Sequence, residues 1–181
     1  MAVPLQVREF VSHDTIMSTC TGFFRSSLVS SFARESNSMN DRVSAEIEIR
    51  TARATQTKAM ADRDFDMAAS IWTEDVTARR ALGQAIVGPS EYREMLLSAS
   101  SGQNPLIYQR VAVTVDVSDR WPLAYEEGRW SGHIGDTDGP PVIAGRYAAQ
   151  WVKRDGRWFI RSEVFVALAC EGAGCLYEAV P

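Results

Sequence analysis

The sequence is poor in histidine and cysteine, with two His and three Cys among 181 residues. A metal centre needs more ligands of these types than so short a supply provides. Basic residues are not in excess, because 19 Lys and Arg face 23 Asp and Glu, for a net charge of −4. A chain with this charge has no general attraction for nucleic acid or an anionic membrane. No apolar run approaches the roughly 18–20 residues that cross a bilayer.

The sequence also lacks a glycine-rich nucleotide loop and a nucleophile–base arrangement, so we expect no metal and no cofactor. What remains is an ordinary globular composition, 45% hydrophobic and 23% charged, at a length that fits one domain. The close cysteine pair in "CEGAGC" leaves free thiols, a local disulfide and a metal site open. Free thiols are favoured because reduced cysteine is the cytosolic default, and we expect a cytoplasmic protein.

Three segments are predicted from the composition. Residues 1–42 form a Ser-rich N-terminal extension, expected to be mobile, although a transit peptide is an alternative. Residues 43–170 form the folded domain, and residues 171–181 form a C-terminal tail.

Apolar periodicity indicates helices first and long strands afterwards. A helix is predicted from Val43 to Ala61, a short one after the N-cap Asp64, and a third in "GPSEYREMLLSAS". Two short strands, "DVTARR" and "QAIVG", precede the third helix. The period then changes to two, with an Asp-Gly hairpin signal in "KRDGRW". Long strands are predicted at 106–117, 122–135, 141–153 and 157–169. This order is typical of an α+β fold with one sheet packed against helices.

Four separated segments in this order carry a family resemblance: "AMADRDFDMAASIWTEDV", "IVGPSEYREML", "EEGRWSG" and "GRYAAQWVKRDGRWFIRSEVF". They resemble the SnoaL-like domains of the nuclear transport factor 2-like superfamily, which includes polyketide cyclases, ketosteroid isomerase and several dehydratases. The resemblance implies a cone-shaped curved mixed sheet, wrapped around three N-terminal helices and enclosing a mostly apolar cavity. It also implies homodimers formed through the outer sheet face.

The last strand, "GRWFIRSEVFVAL", decides which side chains face that cavity. If its side chains alternate without interruption, one face carries two charges between two phenylalanines. Alignment with the hairpin of ketosteroid isomerase places Phe159, Arg161, Glu163 and Phe165 inside the cone. It places Trp158, Ile160, Val164 and Val166 outside. The alternative is a solvated Arg–Glu face, with the apolar face toward the core.

The known chemistry of the family transfers poorly to this chain. The catalytic tyrosine, base and protonated acid of ketosteroid isomerase fall on Gln56, Arg80 and Ala149, none of which can fill those roles. The dehydratases and the dehydrochlorinase pair a strand His with a helix Asp. Asp62 lies near that helix position, but no His accompanies it. His133 is a possible substitute, although the same register places it outside the cone.

The remaining inward residues supply the candidate site. Glu163 is the first choice for a general base because burial raises a carboxyl pKa, and Glu126 is the second. Arg80 or Arg161 would stabilise an oxyanion or bind a substrate carboxylate, and His133 is kept as a further catalytic candidate. The predicted substrate-binding residues are Gln56, Trp130, Tyr147, Trp151, Phe159 and Phe165, and core packing is the favoured alternative for each aromatic residue taken singly.

Three functions stay open at this stage. The first is a cofactor-independent isomerase, lyase/dehydratase or cyclase that acts on a hydrophobic, aromatic or polycyclic substrate. The second is a non-catalytic protein that binds a small hydrophobic molecule in the same cavity. The third is a dimerisation or assembly domain with a filled core. A cavity of a few hundred cubic ångströms, lined by Glu163 and Arg161, would favour the first two.

Overall fold

The computed structural model describes residues 24–101 and 105–176, with side chains described from residue 39 onward. The chain forms two compact units, Met1–Asn37 and Ser38–Pro181. Most of the predicted extension and the last five residues of the predicted tail lie outside the described residues.

The first helix is longer than predicted. Helix α1 spans Phe24–Ala61, whereas the apolar periodicity predicted a start at Val43. No glycine or proline interrupts residues 24–61, so nothing in this segment ends a helix locally. The apolar stripe, which begins at Val43, therefore does not mark the first residue of α1.

The two shorter helices agree closely with their sequence signals. Helix α2 spans Phe65–Ala69, and the Asp64 carboxylate caps it by accepting a hydrogen bond from the Met67 N–H at 3.0 Å. Helix α3 spans Pro89–Ala99 and has proline at its start, as the sequence predicted.

Six strands form one sheet in the order β2-β1-β6-β5-β4-β3. The pairing of β1 with β6 is parallel and the other pairings are antiparallel, so the sheet is mixed. It is curved and unclosed around the helices of its unit, which confirms the predicted α+β cone. The turn between β5 and β6 uses Asp155 and Gly156 at φ 50° and 78°, as its Asp-Gly signal indicated. The strands are β1 Trp72–Arg79, β2 Ile86–Val87, β3 Leu106–Val117, β4 Leu123–Ile134, β5 Ile143–Arg154 and β6 Arg157–Cys170.

A β-bulge in β6 changes the side-chain alternation that the sequence predicted. Gln150 pairs with Ser162 and Trp151 pairs with Ile160, which leaves Arg161 as the extra residue. An inserted residue shifts every later side chain by one position, so the facing reverses at the bulge.

The predicted facing is therefore right on one side of the bulge and wrong on the other. After it, Glu163 is buried, and Val164 and Val166 are 45% and 52% exposed, as expected. Before it, Trp158 and Ile160 are buried, contrary to the prediction that they face outward.

The cysteine pair forms a disulfide in the structure. Cys170, the last residue of β6, is bonded to Cys175 in the short 3₁₀ helix Gly172–Leu176. The expectation of free thiols is therefore wrong, and the local disulfide that the two glycines permit is the observed alternative. The bond fixes the turn that follows β6 against the end of that strand.

In the described part of the chain, we find no helix with an apolar stretch long enough for a membrane crossing.

Candidate functional site

Two arginines and two glutamates are buried together between α1 and the sheet. Arg53 comes from α1, Arg110 from β3, Glu126 from β4 and Glu163 from β6, and none is more than 7% exposed. Buried charges are costly unless each is paired and hydrogen-bonded, so the geometry of this cluster decides whether it stabilises the fold.

Glu126 forms the deeper half of the cluster. Arg53 binds it with two parallel contacts, Nε to Oε1 at 3.0 Å and Nη2 to Oε2 at 3.0 Å. The Tyr147 hydroxyl donates to Oε1, and the Trp151 indole Nε1 donates to Oε2 at 2.5 Å. Arg53 Nε also donates to Oε2 at 3.2 Å, so five hydrogen bonds hold a carboxylate that has no contact with solvent.

Glu163 forms the half nearer the cavity. Its Oε1 accepts from Arg53 Nη1 at 2.9 Å, and its Oε2 accepts from the Tyr92 hydroxyl at 3.0 Å. Arg110 Nη2 donates to the same Tyr92 oxygen at 2.8 Å. Gln56 Oε1 joins the two guanidinium groups, because it accepts from Arg53 at 2.6 Å and from Arg110 at 3.3 Å.

The paired charges control the protonation states of the cluster. Burial raises the pKa of Glu163, but the guanidinium groups of Arg110 and Arg53 outweigh burial and lower the pKa below its ordinary value. Burial alone would lower the pKa of Arg53, yet Glu163 and Glu126 raise it, so Arg53 stays charged. Burial raises the pKa of Tyr92, which therefore stays a neutral phenol. The expectation that burial would make Glu163 a basic carboxylate is wrong because two arginines oppose it.

Acid is expected to destabilise the protein through Glu163. Its folded pKa lies below the ordinary value of 4.5, so the unfolded chain takes up the proton first as the pH falls. The stabilisation from this carboxylate is complete at neutral pH and is lost as the pH falls through the folded pKa. Urea unfolding at pH 7 and pH 3 should show a larger loss of stability for the wild type than for Glu163→Gln. Equal losses in the two proteins would contradict the assigned pKa direction.

A cavity of about 70 Å³ lies beside this cluster, between α3 and the strands. Tyr92 and Arg110 belong both to the cluster and to the cavity wall. They therefore form the polar end of a cavity that is otherwise mostly apolar. The Tyr92 ring is held by stacking on Trp72, with centroids 3.8 Å apart. The Arg110 guanidinium lies 4.8 Å from the centroid of Phe165. The lining residues are Arg80, Ala81, Leu82, Tyr92, Met95, Leu106, Tyr108, Arg110, Trp130, Ile143 and Phe165.

The structure places the predicted site residues in three groups. Arg80, Trp130 and Phe165 line the cavity. Four others lie in or beside the buried cluster and do not line the cavity, namely Gln56, Glu126, Tyr147 and Trp151. Glu163 is also in the cluster and reaches the cavity only through Tyr92 and Arg110. The cavity is smaller than the few hundred cubic ångströms that would have favoured an enzyme or a binding protein, and neither Glu163 nor Arg161 lines it.

The remaining predicted residues lie elsewhere. Arg161 has a half-exposed side chain 3.8 Å from the Asp75 carboxylate, because the bulge turns it out of the cone. Phe159 also points away from the core face, with the Arg157 guanidinium 5.1 Å from its ring centroid. His133 faces away from the cavity, as predicted, but is buried by the loop after β4. Its ring nitrogens lie 2.9 Å from Ser131 Oγ and 2.9 Å from the Gly139 carbonyl oxygen.

Three central residues were missed from the sequence: Arg53, Tyr92 and Arg110. A signal for Arg53 exists, since it lies four residues after Ile49 and three before Gln56, within the buried stripe of α1. Arg110 likewise shares its strand face with the buried Leu106. A charged residue inside an apolar stripe is the pattern that would have found both.

No group of three or more His, Cys, Asp or Glu side chains suited to a metal ion occurs among the described residues.

The fold and the site define the class of the protein. A curved, unclosed mixed sheet around helices, with a polar cluster opening on a mostly apolar cavity, is the cone architecture of nuclear transport factor 2-like proteins. Within that class the chain belongs to the SnoaL-like domain family, whose model matches residues 41–163. A comparison with curated proteins finds no match.

Solved structures with low sequence identity share the fold. A nuclear transport factor 2-like protein from Pseudomonas putida KT2440 is 20% identical, with a TM-score of 0.60 over 77% of this chain and 98% of its own. A hexachlorocyclohexane dehydrochlorinase is 17% identical, with a TM-score of 0.59 over 77% and 95%. A protein provisionally identified as a scytalone dehydratase from Novosphingobium aromaticivorans is 16% identical, with a TM-score of 0.59 over 70% and 86%.

Proposed function

We propose that this chain is a cofactor-independent enzyme of the isomerase, lyase/dehydratase or cyclase type. Its substrate is a hydrophobic, aromatic molecule bound in the cavity beside Tyr92 and Arg110. The observation that carries the proposal is the position of Tyr92, which lines the cavity and whose hydroxyl lies between the Arg110 guanidinium and the Glu163 carboxylate. A cavity of about 70 Å³ favours an aromatic substrate over a polycyclic one.

The polar end of the cavity suits a substrate oxygen that gains negative charge. The Arg110 guanidinium is a cationic hydrogen-bond donor, and Glu163, Gln56 and Tyr92 hold it in place before any ligand arrives. Hydrogen-bond donors fixed in advance in a dry site stabilise a developing oxyanion strongly. An enolate formed from a carbonyl at this position is the species that the site accommodates.

Proton transfer would pass through Tyr92 to Glu163. As the Tyr92 oxygen takes a proton from a substrate carbon, its own proton passes to Glu163 Oε2, 3.0 Å away. The C–H electron pair then becomes the enolate, and the phenol is neutral again. Because Glu163 is a weak base, the substrate C–H has to be acidified by an adjacent carbonyl bound at Arg110. Return of the proton to another carbon gives isomerisation, and loss of a β-leaving group gives elimination.

The structural relatives support elimination as the reaction type. Two of them carry names of enzymes that remove a small molecule, a dehydratase and a dehydrochlorinase. Here the proton acceptor would be the Tyr92–Glu163 pair, since no histidine among the described residues lines the cavity.

A second candidate function is non-catalytic ligand binding. All four carboxylate oxygens of Glu126 and Glu163 accept hydrogen bonds within the cluster. A carboxylate that is already satisfied has less tendency to accept a further proton, and the same cavity would then retain its ligand unchanged.

Turnover should depend on the Tyr92 hydroxyl. We expect wild-type protein, screened by mass spectrometry against aromatic hydroxy- and keto-compounds, to convert at least one of them. Tyr92→Phe keeps the ring stacked on Trp72 and is expected to lower kcat about 10²-fold or more. Tyr125→Phe, which removes an exposed hydroxyl bonded to Glu127, is the matched control and should leave turnover unchanged. Unaltered turnover in Tyr92→Phe would contradict the relay, and a ligand retained unchanged by all three proteins would favour binding.

The same proposal includes a homodimer formed through the outer face of the sheet. Val111, Val113, Val164, Val166 and Leu168 are 45–67% exposed on the strands β3 and β6. Arg129 of β4 and Arg146 of β5 lie between these two apolar groups, and burial of both groups between two copies would explain their exposure. Sedimentation of the protein in solution would show the dimer, or a monomer that contradicts it.

The cytoplasmic location expected from the sequence stays a prediction. The Cys170–Cys175 disulfide weakens it, because such bonds persist mainly in oxidising compartments.

A further inference from the structure

The charges around the cavity do not cancel. In the buried cluster, Arg53 and Arg110 are balanced by Glu126 and Glu163, so the cluster is neutral as a whole. Arg80 lines the same cavity and adds one further positive charge. The cavity therefore carries a net charge of +1 from its lining and the cluster behind it, in a wall that is otherwise mostly apolar.

Arg80 has no hydrogen-bond or ion-pair partner among the described residues. It directly follows β1, and its half-buried side chain lies over Gly83. A Cβ atom added at position 83 would lie only 2.8 Å from Arg80 Nη1, so a larger residue there would collide with the guanidinium. Gly83 has a φ of +86° and so suits glycine for its backbone as well. The loop thus leaves room for the guanidinium at the edge of the cavity.

The acidic residues close to Arg80 do not neutralise it. Glu91 and Glu94 line the adjacent surface groove that Arg80 also borders. The Glu91 carboxylate accepts a hydrogen bond from the Val87 N–H at 2.8 Å, and neither glutamate forms an ion pair with Arg80. Arg79, its neighbour in sequence, is also unpaired but fully on the surface, where water solvates a guanidinium without cost.

We infer that the substrate is a small aromatic carboxylic acid whose carboxylate binds Arg80. This inference rests on the proposed function, since it names the substrate class of the same cavity. A guanidinium binds a carboxylate through two parallel hydrogen bonds, and a partly desolvated setting strengthens the pair. The incoming carboxylate would cancel the single positive charge that the protein leaves unbalanced.

The apolar wall sets the size of the rest of the molecule. Trp130 and Phe165 meet edge to face at 6.3 Å, and Leu106 and Ile143 complete the wall. A cavity of about 150 Å³ is known to hold benzene, so a cavity of about 70 Å³ takes one ring at most, with some movement of its lining. A ring bound through its carboxylate at Arg80 would direct an oxo or hydroxyl group toward Arg110 and Tyr92.

Calorimetric titration with benzoate and benzamide tests the inference, because the two probes differ mainly in charge. We expect wild-type protein to bind benzoate at least about tenfold more tightly than benzamide. Arg80→Gln should abolish that preference by weakening benzoate binding much more than benzamide binding, and Arg80→Lys should retain part of it. Arg79→Gln removes a neighbouring surface charge and is the matched control, expected to bind like the wild type.

The outcomes separate this inference from the proposed function. Equal binding of benzoate and benzamide to the wild type, or an undiminished preference in Arg80→Gln, would overturn the carboxylate site. The cavity function would then survive if benzamide binds or a neutral compound is turned over. Absence of binding by both probes would overturn the inference, and it would overturn the proposed function too if the turnover screen also found no substrate. Thermal unfolding of Arg80→Gln should match the wild type, since no ion pair is removed.

Discussion

Replacement of Arg53 by methionine is expected to lower the free energy of unfolding by about 3–5 kcal/mol. Methionine has a similar length and no charge, so the change removes the guanidinium that joins Glu126 to Glu163. Two carboxylates would then remain buried, with Arg110 as their nearest cation and 3.6 Å from Glu163. Chemical denaturation followed by tryptophan fluorescence would measure the change.

Arg42→Met is the matched control for this substitution. Arg42 lies on the same helix and pairs with Asp119 at 2.9 Å, but both side chains are about half exposed. Exposed ion pairs contribute little, so we expect a loss below about 1 kcal/mol. If Arg53→Met cost no more than Arg42→Met, the buried cluster would not be the stabilising centre described here.

Glu126→Gln is expected to cost about 3 kcal/mol, although the side chain keeps its size. The carboxylate accepts from Arg53, Tyr147 and Trp151, all of which are donors. An amide places its NH₂ group against one or more of those donors and leaves the Arg53 charge less compensated. The same denaturation experiment would measure the change.

Glu127→Gln provides the comparison one residue further along β4. Glu127 is exposed on the other face of the strand and accepts a hydrogen bond from Tyr125. Its replacement should cost less than about 1 kcal/mol. A similar small cost for Glu126→Gln would mean that the hydrogen bonds of Glu126 contribute little. Since domains are stable by only about 5–15 kcal/mol, either large loss is easily measured.

The fold could be predicted from the sequence because its signals are local. Alternation with period two marked all four long strands to within two residues at each end, and the Asp155–Gly156 turn was specified by its own residues. The start of α1 was less accessible, since residues before Val43 lack the apolar stripe that packing imposes on the rest of the helix.

The site could be predicted only in part, because one bulge decides its geometry. Uninterrupted alternation gives Glu163 and Phe165 correctly, but it also places Arg161 and Phe159 inside the cone. No local residue pattern revealed that Arg161 is the extra residue opposite Gln150 and Trp151. Pairing with a neighbouring strand creates a bulge, so a single strand read alone does not reveal it.

The network around Glu163 depends on contacts between residues far apart in the sequence. Arg53 and Glu163 are 110 positions apart, and Tyr92 and Glu163 are 71. The chemistry of these residues arises only when α1, α3 and the sheet meet. This is why burial alone suggested a basic carboxylate, whereas two arginines make Glu163 a weaker base.

The central claim is that the cavity beside Tyr92 and Arg110 binds a small aromatic molecule through its oxygen. A crystal structure grown with 4-hydroxybenzoate tests it most directly. We expect one ring inside the cavity, packed against Trp130 and Phe165, with one oxygen within hydrogen-bond distance of Arg110 or Tyr92. The opposite result would be a crystal grown at a saturating concentration of the compound in which the compound lies only on the outer sheet face. A cavity still filled by the protein's own side chains in that crystal would contradict the claim.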